Sequence, residues 1–177
     1  MTASTTDEPR DPTTLELTTI ELAKESMKFS AGHFTIFSAD RRERLHGHNF
    51  AVSVSLTGEP DDNGMMGDYG EFKRIVLDLC RDLDEWVLLP GRSPHLILRE
   101  EGPYLFAEFD GHTIPFLRSD VQVLPVRNVT VEELARHLCS RLVDEGQVLQ
   151  VAPIHGLTVK VSSGPGQLGS ASWQRGT

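Results

Sequence analysis

Apolar and polar residues alternate over residues 46–57, which predicts a β-strand with one buried face. Two histidines begin the apolar row of this strand, which consists of His46, His48, Phe50, Val52, Val54 and Leu56. Residues 15–37 show a second extended pattern, whose shared face carries Met27, Phe29, Ala31 and His33. Two strands joined by the polar loop at residues 38–45 are expected to pair antiparallel. That pairing would bring the three histidines together.

Two further segments have the spacing of amphipathic helices. Residues 71–89, which precede Pro90, predict one helix of about four to five turns. Its apolar face is formed by Phe72, Ile75, Val76, Leu79 and Leu83. Residues 128–146 predict a second helix, with Asn128 or Thr130 as its N-terminal cap and Gly146 as its stop. The apolar face of that helix carries Leu134, Leu138 and Leu142.

Short β segments account for the rest of the pattern. Residues 96–117 are broken by "EEGP" and "DG", which predicts a β insertion with tight turns between the two helices. Alternation at residues 157–161 predicts a closing strand, and the Gly- and Ser-rich remainder offers only Trp173 for burial. Strands grouped before helices indicate an α+β fold built on an antiparallel sheet.

Length and charge narrow the class of protein. The 177 residues, 38% of them hydrophobic, suit a single domain over residues 15–175, preceded by a disordered tail at residues 1–14. The net charge of −9 argues against a nucleic-acid surface, which requires clustered Lys and Arg. No apolar run reaches the roughly 18 residues of a membrane span. We therefore expect a cytoplasmic protein with a small-molecule partner. Cys80 and Cys139 lack a CxxC spacing and are expected to be buried free thiols.

The three histidines are candidate metal ligands. Neutral imidazole is a preferred zinc ligand, and three protein ligands leave one position for water or substrate. A single histidine on an apolar face is more often a hydrogen-bonded core residue, but the His46-Gly47-His48 pair strengthens the metal interpretation. Histidine-rich metal hydrolases on a (β/α)₈ barrel need about 250 residues, which this chain lacks.

The chain contains five short segments in this order: "SAGH", "HGHNF", "GMMGDYGEFK", "LDE" and "TVEELA". Their order and spacing resemble the 6-pyruvoyltetrahydropterin synthase family over residues 20–175. The resemblance implies the tunnelling fold, in which an antiparallel four-stranded sheet packs against two helices on one face. It also implies trimers or hexamers, with active sites between subunits and a pterin substrate. His33, His46 and His48 would bind Zn²⁺. Asp68 and Phe72 fall in the matched segments and are interpreted as a helix cap and a core residue.

Glu43 is the candidate acid/base residue. Members of the family usually carry a catalytic cysteine four or five residues before the first HGH histidine, where this chain has Arg42 and Arg41. Glu43 instead forms E-x-x-H-G-H, which resembles a branch that uses glutamate and cleaves dihydroneopterin triphosphate to 6-hydroxymethyl-7,8-dihydropterin, for folate synthesis. The alternative is that Glu43 is one charge in a solvated loop.

Other positions depart from the family pattern. The Asp-His pair after the first helix becomes Asp84-Glu85, which leaves Asp84 as a catalytic candidate. The closing-strand glutamate that pairs with the pterin is replaced by Ser162-Ser163. Thr130 and Glu132 match the second-helix start of the family and are candidate substrate contacts, with a helix-capping box as the alternative.

Three functions follow from these residues. The first is a zinc-dependent lyase that releases the hydroxymethyl pterin. The second is 6-carboxytetrahydropterin synthase activity, which belongs to deazapurine (queuosine) biosynthesis, or 6-pyruvoyltetrahydropterin synthase activity. The third is a divergent metal-binding member of the family that acts on or binds another ligand.

Overall fold

The computed structural model describes residues 16–145 and 147–176, so the predicted tail at residues 1–14 lies outside the described residues. The elements are β1 (Thr18–Leu22), β2 (Lys28–His33), β3 (His46–Gly58), α1 (Tyr69–Leu83), β4 (Trp86–Pro90), β5 (Ile97–Glu101), β6 (Tyr104–Phe109), β7 (His112–Leu117), β8 (Val121–Leu124), α2 (Val131–Asp144), α3 (Gln147–Val151), β9 (Ile154–Gly164) and β10 (Gln167–Gln174). The chain is α+β, as predicted. None of these helices is long and apolar enough to cross a membrane.

The main sheet has seven strands, in the order β10-β9-β3-β2-β4-β8, with β1 beside β3. Most pairs are antiparallel, but β2 with β4 and β4 with β8 are parallel. The prediction of a four-stranded antiparallel sheet with two helices was therefore wrong. The sheet is larger and mixed because residues 86–90, 121–124 and 167–174 add three strands that the sequence pattern did not reveal. The two-helix prediction also missed the short α3.

The first helix ends six residues before its predicted end at residue 89. Glu85 adopts a φ of 64°, in the left-handed region, which turns the chain out of the helix. The Glu85 amide then donates to the Ser30 carbonyl (2.7 Å), and Asp84 Oδ1 accepts from the Ser30 amide (2.7 Å). These bonds place β4 alongside β2.

The buried faces of α1 and α2 form one core with the main sheet. Asp68 caps α1, because its carboxylate accepts from the Gly70 amide (2.7 Å), and Phe72 is fully buried, as predicted. Thr130, rather than Asn128, caps α2 by accepting from the Glu133 amide. Cys80 and Cys139 are buried free thiols, as predicted, and burial raises the pKa of Cys80 to about 12.

The predicted β insertion is present as a separate antiparallel sheet of β5, β6 and β7. Its inner face forms a second core with the segment that follows β2. That core consists of Phe34, Ile36, Leu89, Leu96, Leu105, Ala107, Phe109 and Val121. The insertion therefore packs directly beside the loop between β2 and β3.

Candidate active site

The three predicted histidines meet where β2 ends and β3 begins. The two strands pair antiparallel, with His33 opposite His46 and Ala31 opposite His48. The ring centroids of His33 and His46 lie 4.7 Å apart, and those of His46 and His48 lie 4.8 Å apart. One ligand atom from each imidazole lies within 4.8 Å of the others. This spacing is short enough for one ion to be shared.

Hydrogen bonds to backbone carbonyls fix two of the rings. The Nδ1 atom of His33 lies 2.9 Å from the Val129 oxygen, and Nδ1 of His46 lies 2.7 Å from the Arg44 oxygen. A carbonyl only accepts, so both Nδ1 atoms donate, and in the neutral ring of each histidine Nε2 presents the lone pair that can bind a metal. His33 Nε2 is buried without a hydrogen-bond partner among the described residues. Burial lowers the pKa of His33, which favours the neutral, ligating form. The residues present therefore fit a divalent metal ion.

Glu43 lies beside this cluster on a short hairpin at residues 34–43. The Glu43 amide donates to the Thr35 carbonyl (2.8 Å), and the Thr35 amide donates back to Glu43 Oε2 (3.0 Å). The same oxygen is 3.9 Å from His46 Nε2. Burial alone would raise the pKa of Glu43, but the hydrogen bonds from Thr35 and the nearby imidazoles outweigh it, so the pKa is lowered. The carboxylate is thus ionised at neutral pH and can accept a proton.

A cavity of about 460 Å³ opens over the histidines and Glu43. Thr130 and Glu132, at the start of α2, line the same cavity, and so does Ser163 of β9. Asp84 does not line this cavity. It lies just before β4, and its carboxylate accepts a hydrogen bond from the amide of Ser30 in β2. Within this chain the structure thus brings together all predicted site residues except Asp84.

Several residues around the site were not predicted. Gln167 and Leu168 reach the cavity because residues 164–166, "GPG", turn β9 back into β10, a signal that the sequence offered. Asn128 holds the hairpin: its Oδ1 accepts from the Ile36 amide (3.1 Å) and its Nδ2 donates to the Ile36 carbonyl (2.8 Å). Nothing in the local pattern indicated this contact across the chain.

Known proteins resemble this chain in sequence. The family model described as 6-pyruvoyl tetrahydropterin synthase matches residues 21–168. A Methanocaldococcus jannaschii protein named as a candidate 6-carboxy-5,6,7,8-tetrahydropterin synthase is 31% identical over 144 residues, which cover 80% of this chain and 86% of that protein. A Pyrococcus abyssi protein of the same name is 30% identical, over 66% of this chain and 70% of its own.

Solved structures show the same fold. The 6-pyruvoyl tetrahydropterin synthase of Plasmodium falciparum superposes with a TM-score of 0.84 at 25% identity, over 90% of this chain and 99% of its own. The Plasmodium vivax enzyme superposes with a TM-score of 0.85 at 24% identity, over the same shares. That structure is described as a catalytic-residue mutant in which a glutamate is replaced by alanine.

Proposed function

This chain belongs to the 6-pyruvoyl tetrahydropterin synthase family, and from that premise we propose that it is a zinc-dependent pterin lyase. Its proposed substrate is 7,8-dihydroneopterin triphosphate, and its proposed product is 6-hydroxymethyl-7,8-dihydropterin. The observation that carries the proposal is the Glu43 carboxylate, 3.9 Å from His46 Nε2 on the cavity that holds the histidines. The catalytic glutamate named for the Plasmodium vivax enzyme supports a glutamate in this role.

His33, His46 and His48 would hold the zinc ion through their imidazole nitrogens. When bound, zinc would supply Lewis-acid polarisation of the hydroxyl groups on the pterin side chain. The carbonyl partners of His33 and His46 keep the ligating nitrogens pointed at one another. The donor geometry thus supports the metal part of the proposal.

Glu43 acts as the base and then as the acid. Its carboxylate accepts the proton of the second side-chain hydroxyl, the bond between the first and second side-chain carbons breaks, and an aldehyde leaves. The bonding pair moves to the carbon attached to the pterin ring, and Glu43 returns the proton to that carbon. Glu132 and Thr130 would hold the pterin, because a carboxylate can accept both N–H groups of its amide edge.

Substitution of Glu43 tests the proposal. Glu43→Gln should lower turnover by about 10²- to 10⁴-fold, because a general acid/base is lost, while zinc content stays at the wild-type level. Glu71→Gln, an exposed glutamate on α1, is the matched control and should keep full turnover. Mass spectrometry of the product from wild-type protein identifies the reaction. A zinc-loaded wild-type protein that consumes no dihydroneopterin triphosphate would refute the proposal.

The second candidate is 6-carboxytetrahydropterin synthase activity on the same substrate. It is favoured by the names of the Methanocaldococcus jannaschii and Pyrococcus abyssi relatives. The product separates the two candidates in one assay: a hydroxymethyl pterin supports the first, and a carboxy pterin supports the second. Ser162 and Ser163 stand where the family resemblance implies a pterin-binding glutamate, which motivates a different ligand altogether. A pterin at 100 times its dissociation constant should stabilise the protein by about 2.7 kcal/mol, and no shift with any pterin would favour that third function.

We further propose that the protein is a homo-oligomer. β10 and β8 lie at the two ends of the strand order, and an unpaired strand edge is a template for pairing with another copy. Asp84 lies apart from the histidine cavity of its own chain, so its predicted catalytic role would require the cavity of a neighbouring subunit. Light scattering coupled to size exclusion measures the subunit number, and a strictly monomeric active enzyme would remove Asp84 from catalysis.

A further inference from the structure

We infer that Arg42 is a positioning residue that ties the Glu43 hairpin to the β insertion; the inference rests on the role proposed for Glu43. Arg42 Nη1 donates to the Glu43 carbonyl at 2.7 Å. Its guanidinium carbon lies 4.9 Å from the ring centroid of Phe34 and 5.7 Å from that of Phe109. Phe34 directly follows the metal-ligand candidate His33, and Phe109 ends β6 of the insertion.

The surroundings of Arg42 compensate its charge in an unusual way. No carboxylate among the described residues lies within ion-pair distance, and Arg42 Nε is buried without a hydrogen-bond partner. Arg42 is half-buried, and withdrawing part of a charged group from water is costly unless other groups compensate it. A guanidinium tolerates such a place because it is weakly hydrated and stacks on aromatic faces. The two rings and the Glu43 carbonyl are therefore what hold Arg42, and displacing the side chain disturbs all three contacts.

The position of the Glu43 carboxylate depends on this contact through the backbone. Arg42 forms an isolated bridge with Ile36 across the hairpin, and Glu43 then bonds Thr35 in both directions. Asn128 holds the Ile36 side of the hairpin, so Arg42 is the contact that holds the other side. The insertion core, which includes Phe109, thereby fixes the direction in which Glu43 enters the cavity.

Hydrogen exchange on zinc-loaded, full-length protein tests whether Arg42 holds the hairpin, without any substrate. Arg42→Met keeps the aliphatic stem but removes the charge and the donor, and should raise exchange of the Thr35, Phe37 and Glu43 amides about tenfold. Amides in β9 should exchange at wild-type rates. Arg99→Ala is the matched control, because Arg99 stacks on Phe106 of the insertion at 4.7 Å. Unchanged hairpin exchange in Arg42→Met, or an equal rise throughout β9, would overturn the inference.

Kinetics provide a second readout. Arg42→Met should lower kcat by about 10- to 100-fold, because a displaced carboxylate reaches the substrate poorly. KM should stay within about twofold of wild type, and zinc content should not change. Arg42→Lys should recover part of the loss, since an ammonium group keeps the charge over the rings. A raised KM with normal kcat would mean that Arg42 binds substrate and would overturn the positioning role. A wild-type protein without turnover refutes only the proposed function, because the exchange result stands by itself.

Discussion

Replacing Asn128 with alanine should weaken the fold and the candidate site together. The Asn128 side chain makes three partly buried hydrogen bonds, two with the backbone of Ile36 and one with the Val129 amide (3.0 Å). Alanine removes all three and leaves two N–H groups and one carbonyl without their partners. Each orphaned group costs about 1 kcal/mol when water cannot fully replace the bond. We therefore expect a loss of about 2–3 kcal/mol in the free energy of unfolding.

Urea denaturation measures this loss. With a slope of about 2 kcal/mol per molar urea, the unfolding midpoint should fall by about 1–1.5 M at an unchanged slope. Asn63→Ala is the matched control, because Asn63 is exposed and, among the residues that the structure describes, its side chain bonds only to exposed Asp61. That control should lie within about 0.5 kcal/mol of wild type. An Asn128→Ala midpoint equal to that of the control would refute the bidentate contact.

The same variant should weaken zinc binding, although Asn128 touches no histidine. The neighbouring Val129 carbonyl accepts the Nδ1 proton of His33, so a looser segment orients that ring less well. Loss of such a supporting contact typically costs about 10- to 100-fold in metal affinity, and we expect about tenfold here because the carbonyl is displaced rather than removed. Competition with a zinc chelator measures the change. Wild-type affinity in a clearly destabilised variant would separate the two effects and refute this link.

Two further substitutions test the site and the packing around it. His46→Ala should abolish stoichiometric zinc binding, whereas His155→Ala, outside the histidine cluster, should keep it. Metal analysis of both purified variants measures the zinc content. Full zinc content in His46→Ala would exclude this site. Gly169→Ala should cost about 1–3 kcal/mol, because a Cβ there would lie 2.5 Å from the Val131 backbone carbon. Gly164→Ala is the control, because a Cβ at residue 164 meets no atom within 4 Å, and it should unfold at the wild-type urea midpoint. Equal midpoints for the two glycine variants would refute the close approach of residue 169 to the Val131 backbone.

The histidine cluster could be predicted because strand geometry depends on simple periods. Alternation places His46 and His48 on one face of β3, and the short connection to β2 makes the two strands antiparallel. This pairing is enough to predict that His33 converges with the other two histidines, whereas the register that puts it opposite His46 comes from the structure. Glu43 has no such period, since it lies in a loop, and only the family resemblance singled it out.

The missed elements are those whose local pattern fits more than one structure. Residues 86–89, "WVLL", are continuously apolar, so they suit the end of a helix as well as a buried parallel strand. The choice is made by Glu85 and its bond to Ser30, a partner far away in sequence. β10 alternates small and polar residues at a sheet edge, which resembles a loop. An asparagine before a helix likewise suggests a cap, but Asn128 binds Ile36 while Thr130 caps α2.

The hairpin that carries Glu43 shows why the insertion matters for chemistry. A short two-stranded hairpin has marginal stability in water, and residues 34–43 have only one bridge of their own, between Ile36 and Arg42. A general base needs a position accurate to about 0.5 Å, which such a hairpin cannot hold by itself. The accuracy must come from the neighbours of the hairpin. These are the insertion core around Phe109 and the side-chain carboxamide of Asn128. Segments that line no part of the histidine cavity therefore control the residue on which the proposed reaction depends.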